Sequence, residues 1–200
     1  MNAGVTSERV YEALKARLLA GTVPPGERLE PKKLAALLAS SVSPVRDALH
    51  RLAGEHIVEM RTAEGFQLPL VTEPALRDLI QWNGELLRIA LRRWPAAASR
   101  EIELPPPEDY AARLRALFGI VAARSGLTEL ARQVEAASDR LAVSRAAESR
   151  VAADAGGDLA EIDALIEAGD ARSIARRIDL YHRQRMALVP AIVETIYRLA

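Results

Sequence analysis

Apolar residues recur at helical spacing along almost the whole chain, and this periodicity restricts the possible fold more than any other feature of the sequence. The main exception lies at residues 56–71, where two short runs, HIVEMRT and GFQLPLV, flank a tight turn at Ala63-Glu64-Gly65. Ala, Leu and Arg are abundant and favour helix, whereas aromatic residues make up only 4% of the chain. The sequence therefore predicts a mostly α-helical protein with one small hairpin.

Three predicted helices precede this hairpin. The first covers residues 7–20, and the second begins at Pro31, because proline suits the first turn of a helix. The third begins with Ser43 as its N-cap and Pro44 at its first helical position. Three helices followed by a hairpin is the order of a winged helix-turn-helix, so residues 1–72 are predicted to form a DNA-binding domain of that kind.

The helical spacing continues through residues 73–200, which are predicted to fold as an antiparallel α-helical bundle. The segment ASREIELPPPED, residues 98–109, interrupts the spacing and is predicted to be a linker. The last helix is expected from about Ala171 to Leu199, with a kink at Pro190. Two domains of different architecture are thus expected.

The composition argues against several classes of protein. Cysteine is absent, which removes disulfides, thiol catalysis and cysteine-bound metal, and the chain has neither a glycine-rich phosphate loop nor a G-x-S-x-G element. We therefore expect no enzymatic activity. Because no apolar run approaches ~18 residues and no leader-like start is present, we expect a cytoplasmic protein without a membrane partner.

The charge balance makes any contact with nucleic acid depend on a local arrangement of basic residues. The formal net charge is +0, and residues 1–72 hold nine Lys or Arg against eight Asp or Glu, a balance of +1. A single small domain with so little excess charge would hold DNA weakly. Two copies on a homodimer would bind considerably better.

The outer face of the third helix carries the residues that could read DNA. When Val45, Leu49 and Leu52 face the core, the helical spacing leaves the opposite face to solvent. An arginine on that face can pair with guanine, and the free N–H groups at a helix start can meet a phosphate. The alternative is an ordinary capped surface helix. The residues expected on the outer face are Val42, Ser43, Arg46 and His50.

Residues 7–70 resemble the winged helix of the GntR superfamily of bacterial transcription regulators. The matching features are Gly21, the Pro-Pro-Gly-Glu-Arg-Leu loop, Leu34-Ala35, Ser41, Pro44-Val45-Arg46, Ala48-Leu49, Arg51-Leu52 and Gly65. The helical remainder is similar to the FadR-type (FCD-like) C-terminal domain, through its helix order and the segment ALIEAGD. The resemblance implies a homodimeric one-component regulator, a repressor that binds a pseudo-palindromic operator through the first domain and an effector through the second.

The resemblance also assigns DNA contacts to individual residues. Arg46 matches an arginine that contacts a base or the adjacent phosphate, and Gly65 matches the wing tip that approaches the minor groove. Lys32 stands where the family usually has arginine, so the charge is kept but the bidentate fork is lost. Val42 replaces a base-reading arginine, which predicts an unusual operator or weaker specificity. The full predicted DNA-binding set is Lys32, Ser41, Val42, Ser43, Arg46, His50 and Gly65.

The bundle of many FadR-type proteins holds a metal on one Asp and three His. In this chain the corresponding positions are Arg115, Gly119, Leu159 and Tyr181, with His182 one residue out of phase. The resemblance therefore implies a degenerate site with no metal and no cofactor. A small-molecule carboxylate effector is the expected alternative ligand. The candidate residues for it are Arg88, Arg115, Tyr181 and His182.

A second function remains open at this point. The chain could be a winged-helix protein-interaction module that has lost specific DNA readout and effector response, and Val42 and the weak net charge favour that reading. Arg46 and the neighbouring serines favour DNA binding. Replacing Arg46 discriminates between the two.

Overall fold

The computed structural model describes residues 3–61, 64–94 and 109–199, with side chains for 7–61, 64–94 and 109–198. Ala63 of the predicted turn and all but the last residue of the predicted linker lie outside these ranges. The chain divides into two compact units, of which the first ends at Val71 and the second spans Thr72–Arg198. Across the described helices, no stretch combines the length and apolar character that a membrane span requires.

The first unit is a winged helix-turn-helix. Its three short strands form one antiparallel sheet in the order β1-β3-β2. The helices enclose an apolar core in which Leu14, Leu49 and Leu52 are fully buried. The predicted fold class is thus confirmed for this unit. Its elements are α1 (Ala3–Leu19), β1 (Arg28–Leu29), α2 (Pro31–Leu37), α3 (Val42–Gly54), β2 (Glu59–Arg61) and β3 (Gly65–Gln67).

Two details of this unit differ from the prediction. The prediction that Ser43 caps the third helix was wrong: α3 begins at Val42 with Ser41 as its N-cap, so Pro44 is its third residue. Strand β1 was not predicted at all. It pairs with β3 through Arg28 opposite Gln67, which adds a third strand to the expected hairpin.

The loop before β1 depends on a glycine. Gly26 has a φ of +83°, and its N–H donates to the Leu68 carbonyl at 3.0 Å. A Cβ at this position would lie 2.9 Å from Cδ2 of Leu70. The Leu68 N–H in turn donates to the Glu27 carbonyl, also at 3.0 Å. Both the backbone conformation and the close approach of the wing therefore favour glycine here.

The second unit consists of helices in its described part. Its core contains the fully buried side chains of Leu87, Leu114, Phe118 and Val134. The sequence analysis did not distinguish α7, which follows α6 after the single residue Leu141. The helices are α4 (Glu73–Leu91), α5 (Tyr110–Arg124), α6 (Thr128–Arg140), α7 (Ala142–Val151), α8 (Ala155–Ala168) and α9 (Ala171–Leu199), which contains Pro190.

Candidate functional site

The start of α3 is an open helix N-terminus. Ser41 has the extended conformation of an N-cap, with φ −85° and ψ 166°, but its side chain accepts no hydrogen bond from the first turn. The first N–H groups of a helix have no partner within the helix. Ser41 and Ser43 are both exposed beside these groups. The helix start therefore offers N–H and hydroxyl donors to an anion such as a phosphate.

Arg46 lies one turn further along α3 and is exposed. It forms no ion pair with any described residue, and the same holds for the exposed Lys32 on α2. Arg51, on the same helix, shows the contrast: its guanidinium lies 2.9 Å from Glu8 and 3.5 Å from the ring centre of Tyr11. The basic side chains of this unit that are paired with carboxylates are Lys15, Lys33, Arg51 and Arg61.

Val42 is less exposed than the sequence predicted. Its side chain is half-buried and packs against the apolar core of the first unit. The earlier start of α3 explains this, because Val42 is the first residue of the helix rather than part of the preceding turn. Only part of its surface can therefore contact a base.

His50 and Gly65 lie where α3 meets the wing. The His50 ring is exposed but contacts Phe66 of β3 edge-on, with ring centres 4.9 Å apart and planes at 80°. Gly65 opens β3 with a φ of +77°, is exposed, and has no atom within 4 Å of the position a Cβ would take. The backbone of the wing is therefore accessible at Gly65, while His50 also contributes to the packing between helix and wing.

Residues 6–68 match the family described as "Bacterial regulatory proteins, gntR family". This segment of the chain is thus similar to the GntR winged helix. The match covers the whole of this candidate interface, from α1 to the end of β3. It agrees with the resemblance noted in the sequence.

Curated relatives of the GntR winged helix are transcription regulators. The HTH-type transcriptional regulator McbR of Escherichia coli (strain K12) is 36% identical over 85 residues, which are 42% of this chain and 38% of McbR. Mce2R of Mycobacterium tuberculosis is 34% identical over 114 residues, or 50% and 48% of the two chains. In these alignments the chain spans less than half the length of either relative. Both names describe regulators rather than enzymes, as expected here.

Two solved structures of transcription regulators are similar in fold over most of the chain. E. coli McbR/YncC has a TM-score of 0.67 at 20% identity, covering 93% of this chain and 97% of that one. A putative transcriptional regulator GntR from Rhodococcus sp. RHA1 has a TM-score of 0.74 at 15% identity, covering 92% and 97%. At these identities the similarity concerns the fold alone.

In the bundle, the four predicted effector residues do not come together. The half-buried Arg88 is held by Asp179 at 2.8 Å, and Arg115 by Asp139 at 2.5 Å and Glu135 at 2.6 Å. These guanidinium groups are thus engaged by carboxylates of the chain itself. Tyr181 and His182, in contrast, are buried on α9 and line a cavity that Arg88 and Arg115 do not reach. The cavity is lined by Ile80, Asn83, Leu141, Ser144, Arg145, Glu148, Tyr181, His182, Arg185 and Ile192.

Glu148 organises one side of this cavity. It accepts hydrogen bonds from Tyr181 at 3.0 Å, from Arg185 Nε at 2.7 Å and from the hydroxyl of Tyr110. Burial, followed by the nearby charge of Glu148, raises the pKa of both tyrosines, so both hydroxyls remain protonated donors. Arg185 also pairs with Asp158 at 2.6 Å. Every charge of this group thus has an opposite charge beside it.

His182 is a neutral residue of the cavity wall. Burial lowers its pKa to about 4, because the charged imidazolium is disfavoured away from water. Its Nδ1 donates to the Ile178 carbonyl at 2.8 Å, and its ring stacks on Phe118 with centres 5.8 Å apart. His182 therefore presents a hydrogen-bond acceptor, Nε2, toward Asn83.

The four positions that the resemblance aligns with metal ligands, Arg115, Gly119, Leu159 and Tyr181, hold no His, Asp or Glu. Leu159 is part of the apolar core, and Tyr181 is held by Glu148. In the parts of the chain that the structure describes, no three His, Asp or Glu side chains are grouped as a metal would require. The other polar residues of the cavity were not predicted from the sequence, because an arginine or glutamate on an amphipathic helix is expected to face solvent. Those residues are Asn83, Ser144, Arg145, Glu148 and Arg185.

Proposed function

We propose that this chain is a DNA-binding transcription regulator, a cytoplasmic homodimeric repressor that binds a pseudo-palindromic operator. The observation that carries the proposal is the open start of α3, where Arg46 is exposed without an ion pair to any described residue. Because Arg46 lies beside the free N–H groups of the α3 start, an external anion bound there could accept hydrogen bonds from both. The polyanionic DNA backbone and the guanine edge both fit.

The roles within the interface follow from the position of each group. The N–H groups at the start of α3, with Ser41 and Ser43, would fix the helix on a phosphate, and Arg46 would contact a base or the adjacent phosphate. Lys32 would add a phosphate contact from α2. Gly65 would let the wing backbone approach the minor groove. Val42 offers only an apolar surface, such as one that meets a thymine methyl group, which supports an operator unlike that of most of the family.

Two exposed apolar side chains support the dimer. Trp82 and Ile89 are 47% and 40% exposed and lie seven residues apart on α4, hence on one face of that helix. A second copy packed on this face would bury them. The duplication of a weakly charged winged helix would then give the affinity that one copy lacks.

DNA binding is tested by fluorescence anisotropy with a labelled duplex from the region upstream of the gene, against a scrambled duplex of the same composition. We expect preferential binding of the former that weakens as salt rises. Arg46→Ala should reduce affinity about tenfold or more, since a good arginine contact contributes ~1–3 kcal/mol. Arg17→Ala, which removes an equally exposed charge from the end of α1, is the matched control. If the two variants lower the affinity equally, binding depends on overall positive charge rather than on a specific contact of Arg46. If Arg46→Ala has no effect on affinity, the result favours a protein-interaction module.

The dimer is tested by sedimentation velocity. Wild type is expected to sediment as a dimer, and Trp82→Glu as a monomer with unchanged helical content. Leu127→Glu, an exposed apolar residue at the start of α6, is the control and should remain dimeric. A monomeric wild type at micromolar concentration would contradict the proposal.

We further propose that a small organic carboxylate binds in the bundle and alters operator binding. The buried cavity beside Tyr181 and His182 supports this part. Arg88 and Arg115 are each held by carboxylates of the chain, so a role for them would require those pairs to open. Repeating the anisotropy titration with and without a panel of carboxylates measures the coupling.

A further inference from the structure

Arg145 is a buried cation without a counter-charge. It lies on α7, is 2% exposed, and has no carboxylate of the described chain within ion-pair distance. Among the described residues, its guanidinium makes one hydrogen bond, from Nη2 to Oδ1 of Asn83 at 3.3 Å, while Nε and Nη1 have no acceptor. Its guanidinium also lies over the Phe118 ring, 5.1 Å from the centre. Arg185, on the same cavity, differs by having Glu148 and Asp158 as partners.

This arrangement is unfavourable as it stands. Arginine does not lose its proton in proteins, so Arg145 cannot become neutral on burial as lysine or histidine can. A buried charge is stable when it is paired and hydrogen-bonded, and costly when it is not. The Phe118 ring supplies part of an electrostatic partner but accepts no hydrogen bond in the guanidinium plane. An acceptor with negative charge is therefore missing beside Nε and Nη1.

Asn83 does not remove this deficit. Its Oδ1 also faces His182 Nε2 at 3.2 Å, and its Nδ2 has no partner. Because neutral His182 donates through Nδ1, Nε2 is an acceptor and would be better satisfied by Nδ2. Turning the amide would achieve that but would remove the only acceptor of Arg145. In either orientation Arg145 lacks at least two hydrogen-bond acceptors.

The cavity beside these groups limits what the missing acceptor can be. It encloses about 280 Å³ not filled by protein atoms, including its opening to solvent, and its interior has room for roughly one water-sized group. Sites for drug-sized ligands are larger. Glu148 is matched by Arg185, and His182 is neutral, so the lining carries one positive charge in excess. The charge fits a single monovalent anion, of which the interior has room for about one atom, such as a chloride ion or one carboxylate oxygen.

We propose that Arg145 and Asn83 form an anion site that binds one small monovalent anion, namely a carboxylate head group or a free ion of similar size. The Arg145 Nε and Nη1 groups would donate to it, and the Asn83 amide would be free to satisfy His182. This inference deepens the carboxylate response proposed above and rests on it for its regulatory meaning. It assigns the binding of the anion to Arg145, which has no carboxylate partner among the described residues, rather than to Arg88 and Arg115.

The site is tested by thermal unfolding of the full chain, followed by tryptophan fluorescence, since both tryptophans lie in the second unit. The protein is kept in chloride-free buffer at ionic strength fixed with sodium sulfate, and chloride, formate, acetate or benzoate is added as the sodium salt. Wild type should gain roughly 10 °C once the anion exceeds its Kd about a hundredfold. If only chloride raises the melting temperature, the site binds a free ion. If only the carboxylates raise it, the site binds a carboxylate head group.

Three variants decide which residue binds the anion. Arg145→Met should fold without the anion and show no anion-dependent gain, because it removes the uncompensated charge. Asn83→Asp should unfold at a higher temperature than wild type in anion-free buffer and respond little to anions, because it supplies an internal counter-charge. Arg115→Gln is the matched control and should retain the full response.

The proposal is overturned if wild type gains no more than Arg145→Met, or if Arg115→Gln abolishes the response while Arg145→Met keeps it. If Arg145→Met fails to fold, Asn83→Asp decides: an unchanged melting temperature with a full anion response would contradict the site. These readouts do not involve DNA. A failure of operator binding therefore leaves the anion result intact, and a missing anion response leaves the DNA result intact.

Discussion

Acidification should destabilise the bundle through His182. Burial, then the positive charges of Arg145 and Arg88, lower its pKa from 6.5 to about 4, while the Ile178 carbonyl and Asp179 oppose the change. The unfolded chain therefore binds a proton between these two pH values and the folded chain does not. Protonation of His182 therefore leaves the free energy of unfolding almost unchanged above pH ~7. As the pH falls from there toward 4, it lowers that free energy. At 1.36 kcal/mol for each pKa unit, the full loss is ~3 kcal/mol, of which ~2 kcal/mol falls between pH 7.5 and 5.

The assay is urea unfolding monitored by tryptophan fluorescence at pH 7.5, 6 and 5. His182→Phe keeps a ring against Phe118 but cannot titrate, and the other two histidines, His50 and His56, lie in the first unit. Carboxylates titrate in both proteins, so the difference in pH dependence isolates His182. Wild type should lose ~2 kcal/mol more than the variant over this range. Parallel pH profiles would refute the reasoning.

The glycines of the chain yield further predictions. Gly119→Ala should stabilise the bundle by about 0.5–1 kcal/mol in thermal unfolding, since nothing lies within 4 Å of the new methyl group. Gly84→Ala should forfeit that gain, because its Cβ would lie 3.2 Å from the His182 ring; equal stabilisation by both would be inconsistent with this packing. Gly26→Ala should destabilise the first unit by about 1–3 kcal/mol, measured by chemical unfolding, through its φ of +83° and the contact with Leu70.

The helices of the first unit could be predicted because their apolar residues repeat at local spacing. Strand β1 could not, because two residues carry no periodicity and their pairing with β3 depends on contacts between the Gly26 loop and Leu68, far along the chain. The boundary of α3 was also misplaced. Ser41 and Ser43 are both good N-caps by residue type, and the geometry of the preceding turn decides between them.

The cavity of the bundle was largely hidden from sequence reasoning. Tyr181 and His182 were found through an alignment to metal ligands, but Arg145 and Arg185 had no local signal. Their hydrogen-bond partners are distant in the sequence: Asn83 lies 62 residues from Arg145, and Glu148 and Tyr110 lie 37 and 75 residues from Arg185. Arg115 was predicted to bind an effector because the resemblance places it at a pocket position. Its ion-pair partners Asp139 and Glu135 lie on a different helix, so the sequence around Arg115 gave no sign of them.

The most direct test of the central claim is in vitro selection of random DNA duplexes by the full chain. If α3 reads DNA as one half of a symmetric dimer, wild type should enrich an inverted repeat, and Arg46→Ala should enrich it weakly or not at all. The account would be contradicted by a wild-type selection without any enriched motif. It would also be contradicted by an Arg46→Ala selection that recovers the same motif with equal strength.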